Sequence, residues 1–221
     1  MPNLRRVLCI GAHPDDIEFG CGATLNKHLR RWQDWDVRCL TLSRSSNPEL
    51  EKAHRLALTE LGVPPEQIEL HDMVTSHMSA DRQAAWEILD RVWRTWRPDM
   101  VFTHESDYHQ DHELVYHESM RTFYDCSVFL YGISRSQSPS FEGAYFEKVT
   151  EADIAVKLAA LEHYAPLPIS DGIGVTSYRQ KPYFRREAII GKMAYDGIAT
   201  LSDYAEVFRV VRLIGALIRG C

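Results

Sequence analysis

The sequence predicts an α/β fold of the Rossmann-like, doubly wound type: a mostly parallel sheet with strand and loop additions near the C-terminus. Two observations indicate it. The first is a set of short apolar runs that suit buried strands, and the second is a set of longer segments whose apolar residues recur every three or four positions. The two kinds of segment alternate along the chain. Such alternation favours parallel strands with helices packed on both faces. The chain of 221 residues can bury a substantial core, so we expect a single domain over residues 1–221.

The predicted strands are short and apolar, and several are rich in β-branched residues. They cover residues 7–11, 37–42, 68–70, 100–103, 128–131, 144–149 and 207–213. The first four each have a helical segment between them and the next strand, which is the spacing that a parallel crossover requires.

The predicted helices carry apolar stripes at helical spacing. They cover residues 22–32, 48–61, 81–96, 112–123, 151–164 and 185–195. Pro48 suits a first helical turn, Gly62 suits a helix end, and Pro98 follows the end of the third helix. Segment 165–183 is rich in proline and glycine, and we expect it to be a long functional loop.

Composition narrows the classes of function. The net charge of −6 argues against a nucleic-acid partner, and no apolar run is long enough to predict a membrane span. The start of the chain lacks the apolar segment of a signal peptide, so we expect a cytoplasmic protein with reduced thiols. We expect Cys21 to be a small residue in a Gly-Cys-Gly turn. Leu25 stands where a dinucleotide fingerprint needs its third glycine, which argues against nucleotide-cofactor binding.

Two clusters of ionisable residues follow predicted strands. The first cluster consists of His13, Asp15, Asp16 and Glu18, and the second is His109-Gln110-Asp111-His112. Ligands of open α/β sheets bind at the carboxyl ends of the strands, where both clusters lie. So many carboxylates are costly to gather unless a positive charge joins them, and a divalent cation is the simplest candidate.

A set of two histidines and one carboxylate, such as His13, Asp16 and His112, is typical of a catalytic zinc site and also suits iron(II). Spacing alone does not select these ligands. The competing side chains are Asp15, Glu18, His104, His109 and Asp111. The alternative, a surface turn capped by an aspartate, explains one cluster but not two. For Glu18 and His104 we favour positions behind the ligands over direct catalysis.

The motifs His13-Pro14-Asp15-Asp16 and His109-x-Asp111-His112 resemble those of the LmbE-like or PIG-L zinc deacetylases, which remove acetyl groups from N-acetylglucosamine-type amino sugars. The order of elements over about residues 4–131 is similar as well, and so is the ending around residues 204–214.

The resemblance implies a role for each motif residue. The metal ligands would be His13, Asp16 and His112, holding Zn²⁺ or, alternatively, Fe²⁺ or another divalent ion. The catalytic residues would be Asp15 as general base, His109 as the acid that stabilises the oxyanion, and Asp111 as the residue that orients His109.

The chain departs from the family after the second predicted strand. Many members carry a Gly-Glu pair there, whereas this chain has Leu42-Ser43-Arg44-Ser45. Substrate contacts therefore do not transfer from the family. We expect Arg44 and Arg179 to bind substrate, because a guanidinium suits a phosphate or carboxylate and both lie in loops expected near the site. We expect the loop 165–183 to act as a lid.

These observations predict a metal-dependent amide hydrolase that acts on an N-acetylated amino sugar, either free, nucleotide-linked or glycoside-linked. The alternatives are a metal-dependent hydrolase of another acyl bond and a metal-binding module without turnover. The expected partner is a small-molecule N-acetyl sugar. The sequence leaves the oligomeric state open, a homo-oligomer included.

Overall fold

The structure, a computed structural model, describes residues 5–43, 47–136, 141–170 and 175–215. The strands are β1 (Arg5–Gly11), β2 (Trp35–Thr41), β3 (Ile68–Leu70), β4 (Met100–His104), β5 (Ser127–Tyr131), β6 (Tyr145–Val149), β7 (Pro168–Ser170), β8 (Val175–Ser177) and β9 (Tyr204–Arg212). The helices are α1 (Asp16–Asn26), α2 (Pro48–Glu60), α3 (Arg82–Trp96), α4 (Gln110–Thr122), α5 (Glu151–Glu162) and α6 (Arg186–Ile198).

A seven-stranded sheet in the order β3-β2-β1-β4-β5-β9-β6 forms the centre of the described residues. Strands β1 to β5 are parallel, and β9 runs antiparallel to both β5 and β6. The chain leaves β1 toward β2 and later returns to β4 on its other side, so β1 and β4 flank a topological switch point. The predicted fold class, a mostly parallel doubly wound sheet with strand additions near the C-terminus, is confirmed.

Apolar side chains of the central strands pack on both faces of the sheet. Along β1, Val7 and Cys9 belong to one apolar core, which also holds residues of α1, α2, α5 and α6. Leu8 and Ile10 belong to the other core, which holds residues of α3 and α4. All four side chains are fully buried. A strand covered on both faces reads as an unbroken apolar run, which is why β1 is visible in the sequence.

The first helix begins earlier than the sequence predicts. It starts at Asp16 rather than at residue 22, because the Asp16 carboxylate accepts the N–H of His13 at 2.7 Å and closes the turn. Cys21 therefore lies inside α1, where its φ of −143° marks a local break, and not in a loop turn. Glu206 of β9 accepts the N–H groups of Ala23 and Thr24 at this break. The chain continues from α1 as one π-helical segment, Lys27–Trp32.

Gly20 permits the close approach of α1 to β5. A Cβ atom at this position would lie 2.3 Å from the ring of Tyr131, which is fully buried. The Tyr131 hydroxyl donates to the carbonyl of Ile10 at 2.6 Å and so ties β5 to the end of β1. The glycine thus places the first turn of α1 directly over the carboxyl ends of these strands.

The predicted loop 165–183 contains regular structure. β7 and β8 pair antiparallel, and two short 3₁₀ turns follow at Tyr178–Gln180 and Pro182–Phe184. Pro182 starts the second 3₁₀ turn, as a proline in a turn suggests, but the two strands are only three residues long and too short to show an alternating pattern. Within the described part of the chain, no helix combines the length and apolarity needed to cross a membrane.

Candidate active site

Two neighbouring strand ends bring the predicted residues together. The segment after β1 supplies His13, Asp15 and Asp16, and the segment after β4 supplies His109 and His112 at the start of α4. β1 and β4 are hydrogen-bonded parallel neighbours, so their carboxyl ends meet at the switch point of the sheet. The two sequence clusters therefore form one site.

Asp16 lies at the centre of this site. Its Oδ2 atom lies 3.5 Å from His13 Nδ1, and its Oδ1 atom lies 3.5 Å from His112 Nε2. Burial alone would raise the pKa of the Asp16 carboxyl, but the facing His104 and His112 hold it well below its usual range. Asp16 is therefore an ionised carboxylate with histidine nitrogens on two sides.

Each of these two histidines has a carboxylate on its other ring nitrogen. His13 Nε2 lies 2.9 Å from Asp111 Oδ2, and His112 Nδ1 lies 2.8 Å from Asp107 Oδ2. Burial lowers the pKa of both histidines, but the facing carboxylates outweigh it and raise the pKa of His13 to about 10 and that of His112 to about 9. The carboxylates therefore stabilise positive charge at this position, either on protonated histidines or on a metal ion.

Two donor separations at Asp16 are close to those around a metal ion. Donors about 2.0–2.1 Å from a tetrahedral zinc ion lie about 3.3–3.4 Å from one another. The two distances from Asp16, to His13 Nδ1 and to His112 Nε2, are both 3.5 Å. Metal-bound histidines usually give their other N–H to a carboxylate, as both do here. Asp16 therefore has a separation from each histidine that suits a shared metal ion, through one of its oxygens in each case.

Two overlapping groups of donors meet the geometric requirement for a metal ion in the described residues. One is His13, His109 and His112, and the other is Asp16, His104 and His112. His104 is fully buried and lies outside the cavity lining, with Nε2 at 3.1 Å from the Ala12 nitrogen and 3.0 Å from Asp16 Oδ2. It therefore supports Asp16 from the side away from the cavity, the position expected for His104 from the sequence. The cavity-facing members of the two groups are His13, Asp16, His109 and His112, and His112 belongs to both groups.

Asp15 lies on the cavity wall in a strained conformation. Its φ is 101°, in the left-handed region that residues other than glycine seldom adopt and that is enriched at functional sites. Burial and the charges of Asp16 and Glu18 raise the pKa of the Asp15 carboxyl well above its usual range. The buried Tyr178, just after β8, lies beside this carboxylate and lowers its pKa in part.

His109 caps α4 and faces the cavity. Its Nδ1 accepts the backbone N–H of Asp111 at 3.2 Å, so a neutral His109 carries its proton on Nε2. Burial and the neighbouring His112 and His13 lower its pKa. The carboxylate of Asp111 contacts His13 and the Ser76 N–H rather than His109. Asp111 thus orients His109 through its backbone and His13 through its side chain.

Glu18 lies beneath the site and does not line the cavity. Its Oε1 atom accepts the Tyr164 hydroxyl at 2.6 Å and lies 2.8 Å from His54 Nδ1, and all three side chains are fully buried. This network anchors the first turn of α1 to α2 and to the end of α5, so Glu18 supports the fold beneath Asp15 and Asp16.

The predicted substrate arginines are not brought to the site by the described residues. Arg44 lies outside the residues that the structure describes. Arg179 is exposed, pairs with Glu162 at 2.7 Å and does not line the cavity. Its side chain turns away because the 3₁₀ turn that starts at Tyr178 directs the tyrosine inward. Arg135 is the described arginine that does line the cavity.

Sequence reasoning missed Asp107 and Tyr178. Asp107 lies two residues before His109 in the same polar loop, a position that could have singled it out. Tyr178 comes from a segment far along the chain, and no local pattern links it to Asp15. Its position depends on the packing of its ring against Tyr164 and Phe184.

Comparison with known proteins gives two results at the level of sequence. A family model described as PIG-L, GlcNAc-PI de-N-acetylase, matches residues 8–123, a span that contains both clusters. The chain is also 33% identical over 174 residues to a protein of Escherichia coli K12 named uncharacterized deacetylase YaiS. The match covers 72% of this chain and 89% of that protein.

Two solved structures have similar folds. One is the N,N'-diacetylchitobiose deacetylase of Pyrococcus horikoshii, with a TM-score of 0.67 and 16% identity over 95% of this chain and 84% of that one. The other is GalB, the 4-carboxy-2-hydroxymuconate hydratase of Pseudomonas putida KT2440, with a TM-score of 0.72 and 17% identity over 97% of this chain and 100% of that one. Such distant likeness shows the fold alone, and one fold can carry different reactions. The family match and the bacterial relative decide the assignment: this chain belongs to the PIG-L family of deacetylases.

Proposed function

We propose that this protein is a zinc-dependent N-deacetylase that removes the acetyl group from an N-acetylated amino sugar. The observation that carries the proposal is that His13 and His112 each lie 3.5 Å from an oxygen of Asp16, with Asp15 in the lining of the same cavity. Three protein ligands leave a coordination position open, as catalytic zinc sites do. Iron(II) suits the same ligands, and metal analysis of the purified protein decides between them.

Zinc bound by this set would polarise the acetyl carbonyl and make water acidic enough to attack it near neutral pH. In this proposal Asp15 takes the proton of the attacking water. The surroundings of Asp15 suit that role, because burial and two nearby carboxylates make it a stronger base than a free aspartate. Once protonated, the same carboxyl can pass its proton to the nitrogen of the departing amino sugar, which balances the hydrolysis.

His109 would stabilise the charge that develops on the acetyl oxygen. Because its Nδ1 accepts the Asp111 N–H, its Nε2 proton is available to a ligand in the cavity. The lowered pKa of His109 favours the neutral ring, which still donates from Nε2. His109, which the sequence predicts as the acid, is thus a neutral hydrogen-bond donor. Its hydrogen bond to the acetyl oxygen becomes stronger as the oxyanion forms.

The test is acetate release by the zinc-loaded protein across free, nucleotide-linked and glycoside-linked N-acetylhexosamines. Asp15→Asn should keep its zinc and lose about 10²–10⁴-fold in kcat, because the amide cannot accept the proton. Asp36→Asn, on the partly buried side of β2 and away from the cavity, is the matched control and should keep full activity. Near-normal turnover by Asp15→Asn would assign the base to another group.

The same panel separates the two alternatives. Simple esters and other amides test for a hydrolase of another acyl bond, and the wild-type protein should cleave them more slowly than its best N-acetyl sugar. Zinc binding without turnover on any member of the panel would indicate a metal-binding module instead. Asp15 and His109 argue against that module, because metal storage requires neither a base nor an oxyanion donor.

A further inference from the structure

The outer face of α6 carries a row of exposed residues without charge. The inner face of this helix packs against β9 and holds the buried residues of the helix. Beyond the first two residues of α6, the exposed positions are Ala188, Gly191, Tyr195 and Ile198. They recur every three or four positions, so they form one stripe along the helix. Tyr195 is 75% exposed and Ile198 is 68% exposed, which makes this α6 stripe a candidate contact surface.

Gly191 has no reason within its own chain to be a glycine. A Cβ atom at this position would meet no other part of the described chain within 4 Å. Glycine destabilises the interior of a helix relative to alanine, so this position lowers the stability of α6 without a packing gain inside the molecule. Gly197 of the same helix differs, because a Cβ atom there would lie 2.5 Å from the Ser202 carbonyl oxygen. A glycine on the exposed face leaves room for a side chain that comes from outside.

The turn that follows α6 extends the stripe. Leu201 is 96% exposed, and its φ of 52° lies in the left-handed region, where leucine is uncommon. Its N–H donates to the Ile198 carbonyl at 3.2 Å, which holds Leu201 beside the end of the stripe. Neither the exposure nor the backbone conformation stabilises the single chain. Burial of this leucine against a partner would add favourable free energy.

We propose that the α6 stripe packs against the same stripe of a second copy of this chain, in an antiparallel two-fold pair. The order of side-chain sizes identifies this partner. The small residues Ala188 and Gly191 come first in the stripe, and the large residues Tyr195 and Ile198 follow. About a two-fold axis halfway between Gly191 and Tyr195, each large residue of one copy faces a small residue of the other. Tyr195 then fills the space that Gly191 leaves open, as side-chain ridges fill the grooves between packed helices.

The charges beside the stripe suit this pairing. Lys192 and Asp196 pair at 2.7 Å, four residues apart on the same side of the stripe. The two-fold axis brings the same side of both copies together, so Lys192 of one copy lies about one helical turn or less from Asp196 of the other. Opposite charges therefore meet across the interface. The antiparallel arrangement also places the positive end of each helix dipole beside the negative end of the other.

The first test is the oligomeric state of the full chain. Sedimentation velocity over a range of protein concentrations should show a reversible dimer. Tyr195→Asp should raise the dimer Kd at least about tenfold, because it places a carboxylate at the centre of the interface. Tyr124→Asp, at another exposed tyrosine, is the matched control and should leave the Kd unchanged.

A second variant tests the role of the glycine. Gly191→Gln fills the space opposite Tyr195 and should also raise the dimer Kd at least about tenfold. The same substitution should leave the Tm of the monomer equal or higher, because glutamine is the better helix former at a solvated position. A weaker dimer without a lower Tm separates a contact surface from a structural defect.

Cross-linking tests the direction of the pair. Ala188→Cys and Ile198→Cys proteins are prepared with Cys221 replaced by serine, since the cysteines that the structure describes are buried. Mixed under mild oxidation, the two variants should form a disulfide with each other faster than either forms one with itself. The reason is that residue 188 of one copy lies opposite residue 198 of the other, whereas identical positions lie far apart along the helices.

A monomer at every concentration would overturn the pair, and so would a dimer whose Kd either substitution leaves unchanged. A lower Tm of Gly191→Gln would give the glycine a role inside the fold and remove it from the interface. Faster self-linking of Ala188→Cys than mixed linking would overturn the antiparallel arrangement. Binding of the monomer to phosphatidylcholine vesicles, lost in Tyr195→Asp, would assign the stripe to a lipid surface, which also overturns the dimer.

Discussion

At the scale of single residues, the site depends on carboxylates that do not face the cavity directly. Asp111 and Asp107 each engage the outer nitrogen of a candidate ligand histidine, at 2.9 Å and 2.8 Å. Such partners fix which ring nitrogen carries the proton and raise the electron density of the other. Asp107 also accepts the Ser136 hydroxyl at 2.6 Å and the His109 N–H at 2.7 Å, so one carboxylate positions both His109 and His112.

Asp107→Asn should weaken zinc binding about 10–100-fold, because the neutral amide no longer holds His112 as strongly in the required tautomer. Burial would raise the pKa of Asp107, but His112 and Ser136 hold it below its usual value, so the charge is present at neutral pH. Competition with a fluorescent chelator measures the affinity. Asp90→Asn, in an exposed pair with Arg94, is the control. Unchanged zinc affinity in Asp107→Asn would remove His112 from the ligand set.

Residue types and spacing singled out His13, Asp15, Asp16, His109 and His112, which the fold brings to one cavity, but not how the side chains pair. The motif singles out Asp111, yet only the fold shows that its carboxylate contacts His13 and that its backbone contacts His109. Tyr178 was beyond prediction for the same reason, since its position beside Asp15 depends on the packing of its ring against Tyr164 and Phe184.

At the scale of elements, the sequence predicts strands well where both faces are covered and helices well where one stripe is apolar. The sequence does not predict a local structure that depends on a tertiary contact. The break of α1 at Cys21 is stabilised by Glu206 of β9, whose carboxylate accepts the Ala23 and Thr24 N–H groups and pairs with Lys157. No residue near Cys21 in sequence supplies that carboxylate, so the local pattern does not show that the helix continues through the break.

A second buried pair joins the π-helical segment Lys27–Trp32 to β6. Glu147 accepts from Lys27 and from the Tyr145 hydroxyl, and its other neighbour is His28. Burial would raise the pKa of Glu147, but these partners lower it to about 2. A carboxyl with a lowered pKa in the folded state stabilises the fold above its unfolded pKa. That contribution is lost as the pH falls from about 4.5 toward 2.

Glu147→Gln should lower the free energy of unfolding at pH 7 by about 3–5 kcal/mol, because it leaves the buried Lys27 charge without a carboxylate. It should also flatten the loss of stability between pH 5 and pH 3. Urea denaturation at several pH values measures both. Glu162→Gln, in the exposed pair with Arg179, is the matched control and should cost about 0–1 kcal/mol. Equal effects of the two substitutions would show that the Lys27 pair does not hold β6 to the helix.

At the scale of the whole molecule, the fold class follows from the sequence because it depends on many elements at once. A misplaced helix end or an unseen hairpin does not change the order in which strands and helices alternate. The strand order β3-β2-β1-β4-β5 then places the ends of β1 and β4 side by side, and the two histidine-containing clusters meet without further information. The antiparallel β9 between β5 and β6 could not be placed in this way, because connection rules do not fix where a late strand inserts.

Because the candidate ligands come from two segments far apart in sequence, an ion bound by them would link the β1 end to α4 across the switch point. The unfolded chain does not hold these ligands together, so zinc should stabilise the folded state by mass action. Free zinc at one hundred times its Kd adds about 2.7 kcal/mol. For a chain of this length, that free energy should raise Tm by about 5–10 °C.

Thermal melts of chelator-treated protein, before and after zinc is added back, measure this shift. His13→Ala should fold yet show little zinc-dependent change in Tm. His117→Ala, at an exposed histidine of α4 outside the cavity, should show the full change. Asp15→Asn should also show it, since the proposed base is not a ligand, and this separates metal binding from catalysis. An equal zinc-dependent shift in His13→Ala and His117→Ala would place the ion elsewhere in the molecule, and Asp16 would then require protons on its neighbouring histidines to balance its buried charge.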